Sequence, residues 1–537
     1  MQIVIISRQQ KNYREKSVYP IFLIIIMPQT SEKNKRIAKN TLLLYVRMLF
    51  LMLVTLYTSR VILHALGVED YGIYNVVGGV VAMFSVISGS LSAAISRFIT
   101  YELGKGDKER LVKIFSTSVS IQFGLSLIVI LLAETIGLWF LNVKMNIPDA
   151  RMTAANWVFQ FSILTFIVNL ISVPYNACII AHERMSAFAY ISILEAVGKL
   201  AIAFLIVIFP IDRLIFYAIL MCLVALTVRF AYGIYCKRHF EECKYHFVFD
   251  RSLLKQMSGF AGWNFIGAAS AVLRDQGGNV VINLFCGPTV NAARGIAFQV
   301  NNAIQGFVTN FMTALNPQIT KSYASGDRDY MMTLIFQGAR LSFYMLLFLS
   351  LPVLVNTHYI LVLWLKIVPE HAVLFIQLVL IFAMSESISN PLVTAMLATG
   401  NIRNYQIVVG GLQMMNLPVS YVLLRMGCIP ETVMLVAICI SQCCLAARLY
   451  MLRGMIGLSA RKYLRKVYLN VLVVTGISLI IPAFLSTLLD ETFINFILVC
   501  MVSVLCSSIV IFYVGCNRKE RKFVQSKVNE IRNKFRK

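Results

Sequence analysis

Charge is scarce in this 537-residue chain: 14% of its residues are Asp, Glu, Lys or Arg, against a hydrophobic fraction of 58%. With a mean hydropathy of +0.74, that balance lies outside the soluble range. Other absences narrow the class. No GxxxxGK[ST], HExxH or GxSxG pattern occurs, which removes the usual phosphate-cradling loop, zinc-protease helix and nucleophile elbow. The 12 cysteines form no CxxC pair; most lie in apolar segments (Cys178, Cys222, Cys286, Cys500), and Cys439, Cys443 and Cys444 share one expected helix. They read as small hydrophobes in helix packing, not as metal or disulfide chemistry. The six histidines are dispersed, so no cofactor is expected. Long polar loops are also missing on one side of the expected bundle. A glycan polymerase or ligase, which needs an extramembrane segment to hold acceptor and catalytic groups, has no room there.

What is present is apolar sequence in long runs. Stretches of 20 or more mostly apolar residues recur from about Thr41 to Cys516, each long enough to cross a hydrocarbon core of roughly 30 Å. A transmembrane β-barrel is excluded, because its strands alternate in pieces of roughly ten residues. The sequence therefore predicts an all-α polytopic membrane protein with about 14 transmembrane helices. They fall at 41–66, 71–98, 115–141, 153–180, 187–210 and 213–236 for a first lobe (41–236). A second lobe (257–453) follows at 257–285, 289–317, 332–356, 371–399, 404–424 and 431–453. An appended pair covers 466–516, at 466–488 and 492–516, and a linker at 237–256 joins the lobes. Residues 1–40 and 517–537 are terminal segments; 1–26 are expected to precede the true start at Met27. Prolines 174, 317, 352, 391, 418 and 482 fall inside spans, where each removes a backbone donor and serves as a hinge or as a fixed bend.

The net charge of +24 invites a nucleic-acid reading, which its distribution removes. With loops assigned alternately to the two sides, about 32 Lys/Arg fall on one and about 5 on the other, as the positive-inside rule describes. The rich side holds the clusters at 33–39, 105–110, 237–238 and 461–466 and the tail from Arg518; the poor side holds Lys144, Arg151, Arg213, Lys366 and Arg425. Both termini are therefore expected in the cytoplasm, with the tail against anionic headgroups.

The two lobes echo each other about 220 residues apart. Val61-Ile62, Gly67, Ile99-Thr100 and Gly106-Asp107 align without a gap with Val281-Ile282, Gly287, Ile319-Thr320 and Gly326-Asp327. A membrane chain of two related halves reads as a transporter working by alternating access. With no nucleotide motif, it must run on an ion gradient, on membrane potential or down the substrate's own gradient.

Ionisable groups at membrane depth are costly and mark function or partnership. Arg47 (helix 1), Glu195 and Lys199 (helix 5), Arg274 and Asp275 (helix 7), Arg340 (helix 9) and Glu386 (helix 10) are the deepest. Glu195 and Lys199 are spaced for a helical ion pair, serving either structure or a cavity. Arg274-Asp275-Gln276 is expected to interrupt helix 7; adjacent helical residues point apart, so Arg274 and Asp275 are not expected to pair. On helix 8, Asn291, Arg294, Asn302, Gln305 and Thr309 share one face, which lines a cavity or packs on a neighbouring polar helix. Arg97, Arg229 and Arg448 are expected to snorkel from cytoplasmic ends.

Leu66-Gly-Val-Glu-Asp-Tyr-Gly-Ile-Tyr-Asn75, Ala94-Ile-Ser-Arg-Phe-Ile99 and Ala398-Thr-Gly-Asn-Ile-Arg403 resemble the polysaccharide exporters of the multidrug/oligosaccharidyl-lipid/polysaccharide (MOP) superfamily. The likeness runs from about residue 33 to 516, closest to the O-antigen (Wzx-type) flippases. It implies two six-helix lobes around a cationic cavity in the cell inner membrane. The implied cargo is an undecaprenyl-diphosphate-linked oligosaccharide, flipped to the periplasmic leaflet, with a glycan polymerase and assembly proteins as partners. Lipid II flippases also carry an appended helix pair, forming a lipid-facing groove. On that reading Arg47, Arg274, Arg294 and Arg340 meet the diphosphate and Asn302 and Gln305 meet sugars. Asp275, Glu195, Lys199 and Glu386 are then the groups for H⁺ or Na⁺ coupling. The alternative is a MATE-like drug/cation antiporter, favouring acidic and aromatic cavity groups.

Overall fold

The computed structural model describes residues 32–522 and 525, apart from 83–84, 144–146, 209–211, 247–249, 366–367 and 519. The proposed start at Met27 and the segment before it lie outside the described residues, as do Lys144 and Lys366.

All secondary structure among the described residues is helical. The first lobe comprises α1 (Glu32–Ala82), α2 (Ser85–Lys105), α3 (Lys108–Val143), α4 (Asp149–Ala181), α5 (Met185–Ile208) and α6 (Arg213–His239). The second comprises α7 (Arg251–Ala324), α8 (Arg328–Val355), the short α9 (Thr357–Leu365), α10 (Ala372–Thr399), α11 (Arg403–Arg425) and α12 (Thr432–Ile456). The appended pair is α13 (Ala460–Leu488) and α14 (Phe493–Gly515). Eleven segments are long and apolar enough to cross a membrane. Of the other three expected crossings, 71–98 is divided between the end of α1 and α2, and 257–285 and 289–317 fall on the two arms of α7. Several helices run past the bounds set by hydropathy: α3 begins at Lys108, not 115, and α2 ends at Lys105, not 98. Their charged end turns continue the backbone hydrogen-bond ladder beyond the apolar part.

The 220-residue echo is a conformational repeat. Gly67 breaks α1 with φ 79° and ψ 168°, and Gly287 breaks the 74-residue α7 with φ 83° and ψ 177°, a backbone region open essentially to glycine alone. Gly106 and Gly326 both have left-handed φ (81° and 78°). The aspartates that follow cap the next helix, Asp107 accepting from the Arg110 N–H and Asp327 from the Tyr330 N–H. Each half thus has a glycine-broken helix, a glycine turn and an aspartate cap in the same order.

Helix 7 is not interrupted at Arg274-Asp275-Gln276. It stays helical through those residues and breaks only at Gly287, because polar side chains leave the ladder intact whereas φ near +80° cannot continue it.

Packing is uneven between the two ends of the bundle. One buried apolar cluster unites the second lobe with first-lobe residues near the basic end, including Ile37, Ile95, Phe115, Cys178 and Cys236. The rest of the first lobe, from Ile62, Val77, Val158 and Ile206, forms a separate cluster at the far end. Among the described residues, the lobes therefore share a core only at the end carrying the basic loops.

Candidate functional site: charged clusters in two lobes

In the first lobe, α1 presents Arg47 to α5. Its guanidinium stacks over the Phe188 ring at 4.4 Å, and its buried Nε has no hydrogen-bond partner. The nearest acid, Glu195, is taken by Lys199 one turn along α5, Nζ to Oε1 2.6 Å. Both members of that pair are about two-fifths exposed, at 42% and 41%.

In the second lobe, Arg274 pairs with Asp275 after all, Nε to Oδ1 2.8 Å. Cα–Cβ vectors of adjacent residues diverge, but an arginine side chain is long enough to fold back to its neighbour. The same guanidinium lies 5.0 Å from the Phe382 ring centroid. Across the Gly287 break, Arg294 donates to Asn279 Oδ1 and sits over Phe298 at 4.5 Å. It is 4% exposed, with Nε unpartnered. A Cβ on Gly278 would lie 2.9 Å from an Arg294 amino group, so the glycine makes the guanidinium's berth. Glu386 accepts from Ser441 Oγ at 2.5 Å. The structure thus joins Arg274, Asp275 and Arg294 in one cluster and places Arg47, Glu195 and Lys199 in another.

The helix-8 stripe divides. Arg294 turns inward, whereas Asn302 and Thr309 are exposed and Gln305 half-buried. Thr309 Oγ1 is spent on the Gln305 carbonyl at 3.0 Å; the amides of Asn302 and Gln305 make no hydrogen bond among the described residues. Asn291 keeps a buried Oδ1 without a partner.

Arg340 stands apart from both clusters. Its guanidinium donates to Glu520 at 2.6 Å and to the Gly515 carbonyl at 2.9 Å, tying α8 to the end of α14. Arg448 does not snorkel: it is 2% exposed, beside Tyr405 and Glu386 inside the second lobe. Arg97 serves as a link between lobes, donating to the Ala398 carbonyl at 3.0 Å, and Arg229 lies over Tyr175 at 4.0 Å.

Sequence reasoning missed Glu183, in the turn between α4 and α5. It is 5% exposed and holds φ at 59°, unusual for a residue with a Cβ. Its carboxylate takes Lys321 Nζ at 2.6 Å and Gln318 Nε2 at 2.5 Å from α7, with Arg36 at 3.6 Å, while its carbonyl accepts from Asn40 at 3.2 Å. One carboxylate thus bolts the first lobe to the second at the basic end. Its only sequence signal is an acid inside a His-Glu-Arg turn on the basic side. Gly104 against Ala324 and the Phe98–Phe260 rings (5.8 Å) close the same end.

At the far end Arg151 of α4 holds Asp70 Oδ1 through Nε at 2.8 Å and Asp212 at 2.6 Å, and Arg213 donates to the Ala65 carbonyl at 3.0 Å. Burial raises the Asp212 pKa, but Arg151 and the Ile215 and Leu214 N–H groups outweigh it and leave it below the usual carboxylate value. Two of the few cations on the poor side therefore serve structure.

Residues 37–323 match the family model described as polysaccharide biosynthesis protein. A curated relative, the uncharacterized membrane protein EpsK of Bacillus subtilis (strain 168), is 20% identical over 289 residues, 52% of this chain and 56% of that protein. The chain thus spans about half the length of the curated relative it matches. Among solved structures, an outward-facing MATE-family multidrug resistance transporter superposes with a TM-score of 0.69 at 13% identity, covering 82% of this chain and 99% of that one. A MOP-superfamily transporter from Pyrococcus furiosus, described as having a binding pocket of reverse polarity, gives 0.65 at 12% identity over 82% and 99%. The chain belongs to the polysaccharide biosynthesis protein family and has the fold of the MOP-superfamily membrane transporters.

Proposed function

We propose that this transporter flips an undecaprenyl-diphosphate-linked oligosaccharide, an O-antigen or capsule repeat unit, from the cytoplasmic to the periplasmic leaflet of the cell inner membrane. The observation that carries the reading is the imbalance of partners at membrane depth. Glu195, Asp275 and Glu386 are each engaged by Lys199, Arg274 or Ser441, while Arg47 and Arg294 have no carboxylate hydrogen-bonded to them. Buried cations whose neighbouring carboxylates are hydrogen-bonded to other groups favour an added anion in a low-dielectric interior, and guanidinium suits a diphosphate. A drug/cation antiporter needs the converse, free carboxylates beside satisfied cations. The unpaired amides of Asn302 and Gln305 are suited to sugar hydroxyls.

Arg47→Ala and Arg294→Ala are each expected to cut translocation of the lipid-linked oligosaccharide about tenfold or more, with normal membrane insertion. Arg274→Ala is expected to abolish flipping as well, since it also strands Asp275. Full complementation of a flippase-deficient strain by the Arg47→Ala/Arg294→Ala double variant would falsify the assignment. Coupling to H⁺ or Na⁺ through Asp275, Glu195, Lys199 or Glu386 belongs to the same proposal. Transport indifferent to collapse of both gradients would remove it.

A further inference from the structure

A groove of about 700 Å³ opens between α8, α13 and α14 at the basic end of the bundle. Its walls carry two π-helical turns, Leu464–Tyr468 and Ile511–Gly515. Such turns widen a helix and free carbonyls that an α-helix would use, and they recur at functional sites. The carbonyls of Val514 and Gly515, which end α14 and so have no partner within the helix, are taken from inside the protein. Gly515 O accepts from Arg340 at 2.9 Å and from Tyr344 at 3.2 Å, and Val514 O accepts from Asn470 at 3.4 Å. Arg340 is further neutralised by Glu520. Those bonds fix the walls and consume the interior charges.

The rim is different. Lys462, Arg465 and Lys466 line the groove at spacings of three and four, which puts like charges on one helical face. All three are exposed, and none is in an ion pair among the described residues. The one lining acid not engaged by a cation is Asp329; the half-buried Met332 and Phe336 and the exposed Val514 give the groove an apolar lining. Exposed cations beside an apolar lining, at the end of a membrane-spanning bundle, match an amphiphile with an anionic head. The chain's own terminal segments do not fit, because both 1–31 and 518–537 are net basic and would be repelled.

We infer that this groove binds the phosphate of an anionic glycerophospholipid, with Lys462, Arg465 and Lys466 around the headgroup and an acyl chain along Phe336 and Val514. The site lies outside both charged clusters, so it stands whatever the transported cargo is.

The test uses the purified full-length chain in nanodiscs of phosphatidylethanolamine with or without phosphatidylglycerol, read by native mass spectrometry of retained lipid and by thermal shift. Wild type is expected to retain phosphatidylglycerol. Lys462→Ala/Arg465→Ala/Lys466→Ala should weaken retention on the order of a hundredfold, from about fivefold per lost cation. Asp329→Asn, which removes the opposing acid and leaves the cations, should strengthen it. Retention unchanged in the triple variant or weakened in Asp329→Asn overturns the proposal. So does stabilisation by millimolar inorganic phosphate equal to that by the lipid, which would mark a soluble-anion site.

Discussion

At the scale of single residues, long side chains decided what spacing alone did not. Adjacent positions in a helix imply divergent directions, yet Arg274 reaches Asp275 at 2.8 Å. Arg340 was legible as a deep cation, but its partner Glu520 lies 180 residues away, and no local pattern encodes that distance. The far-end clamp carries a pH prediction. Asp212 titrates below the usual carboxylate value because Arg151 and two backbone N–H groups outweigh its burial. Its contribution is therefore present above a pH of about 3.9 and is lost as pH falls through the depressed folded value. Arg151→Ala should cost about 1–2 kcal/mol at neutral pH, allowing for part exposure. The difference from wild type should shrink as pH falls through that depressed value; detergent-solubilised denaturation curves at neutral and acid pH check it, and an undiminished gap at acid pH contradicts it.

At the scale of elements, apolar runs and their flanking charges made most helices legible, since hydrocarbon thickness sets their length. Their ends were less legible, because helices such as α3 continue through charged turns that hydropathy discards. The glycine breaks show why the repeat was readable at all: positions whose backbone only glycine tolerates keep their identity where apolar residues exchange freely. Nothing lies within 4 Å of a Cβ built on Gly287, so the cost of Gly287→Ala is purely conformational, about 1–3 kcal/mol. Gly295, also in open space but with ordinary helical φ, is the control. Gly295→Ala should be neutral or stabilising by up to about 1 kcal/mol. Thermal denaturation of the two variants should move in opposite directions or leave Gly295→Ala unmoved; an equal loss in both contradicts the account.

At the scale of the whole molecule, the lobes share a core only at the basic end, and Glu183 is the polar bolt of that closure. Glu183→Gln keeps the side-chain volume but removes the charge facing Lys321 and Arg36. It should shift the balance toward a form open at the basic end by about tenfold or more, read by thiol labelling of a cysteine placed at Ser322, buried in the same stretch of α7. Labelling rates equal to wild type would show that the apolar contacts alone hold the end shut. None of this was visible in sequence, because a contact between a turn and a helix 135 residues apart leaves no periodic trace. The glycine break in α7 bears on how such a chain enters the bilayer. Both of its arms are too polar to satisfy the criterion met by eleven other segments, and a lone arm would present Arg274 or Arg294 to the translocon's lipid exit. Folded back at Gly287, the arms join Arg294 to Asn279 and keep Arg274 beside Asp275. The segment is thereby fitted to partition as one prepaired hairpin, its two arms crossing together and not one after the other.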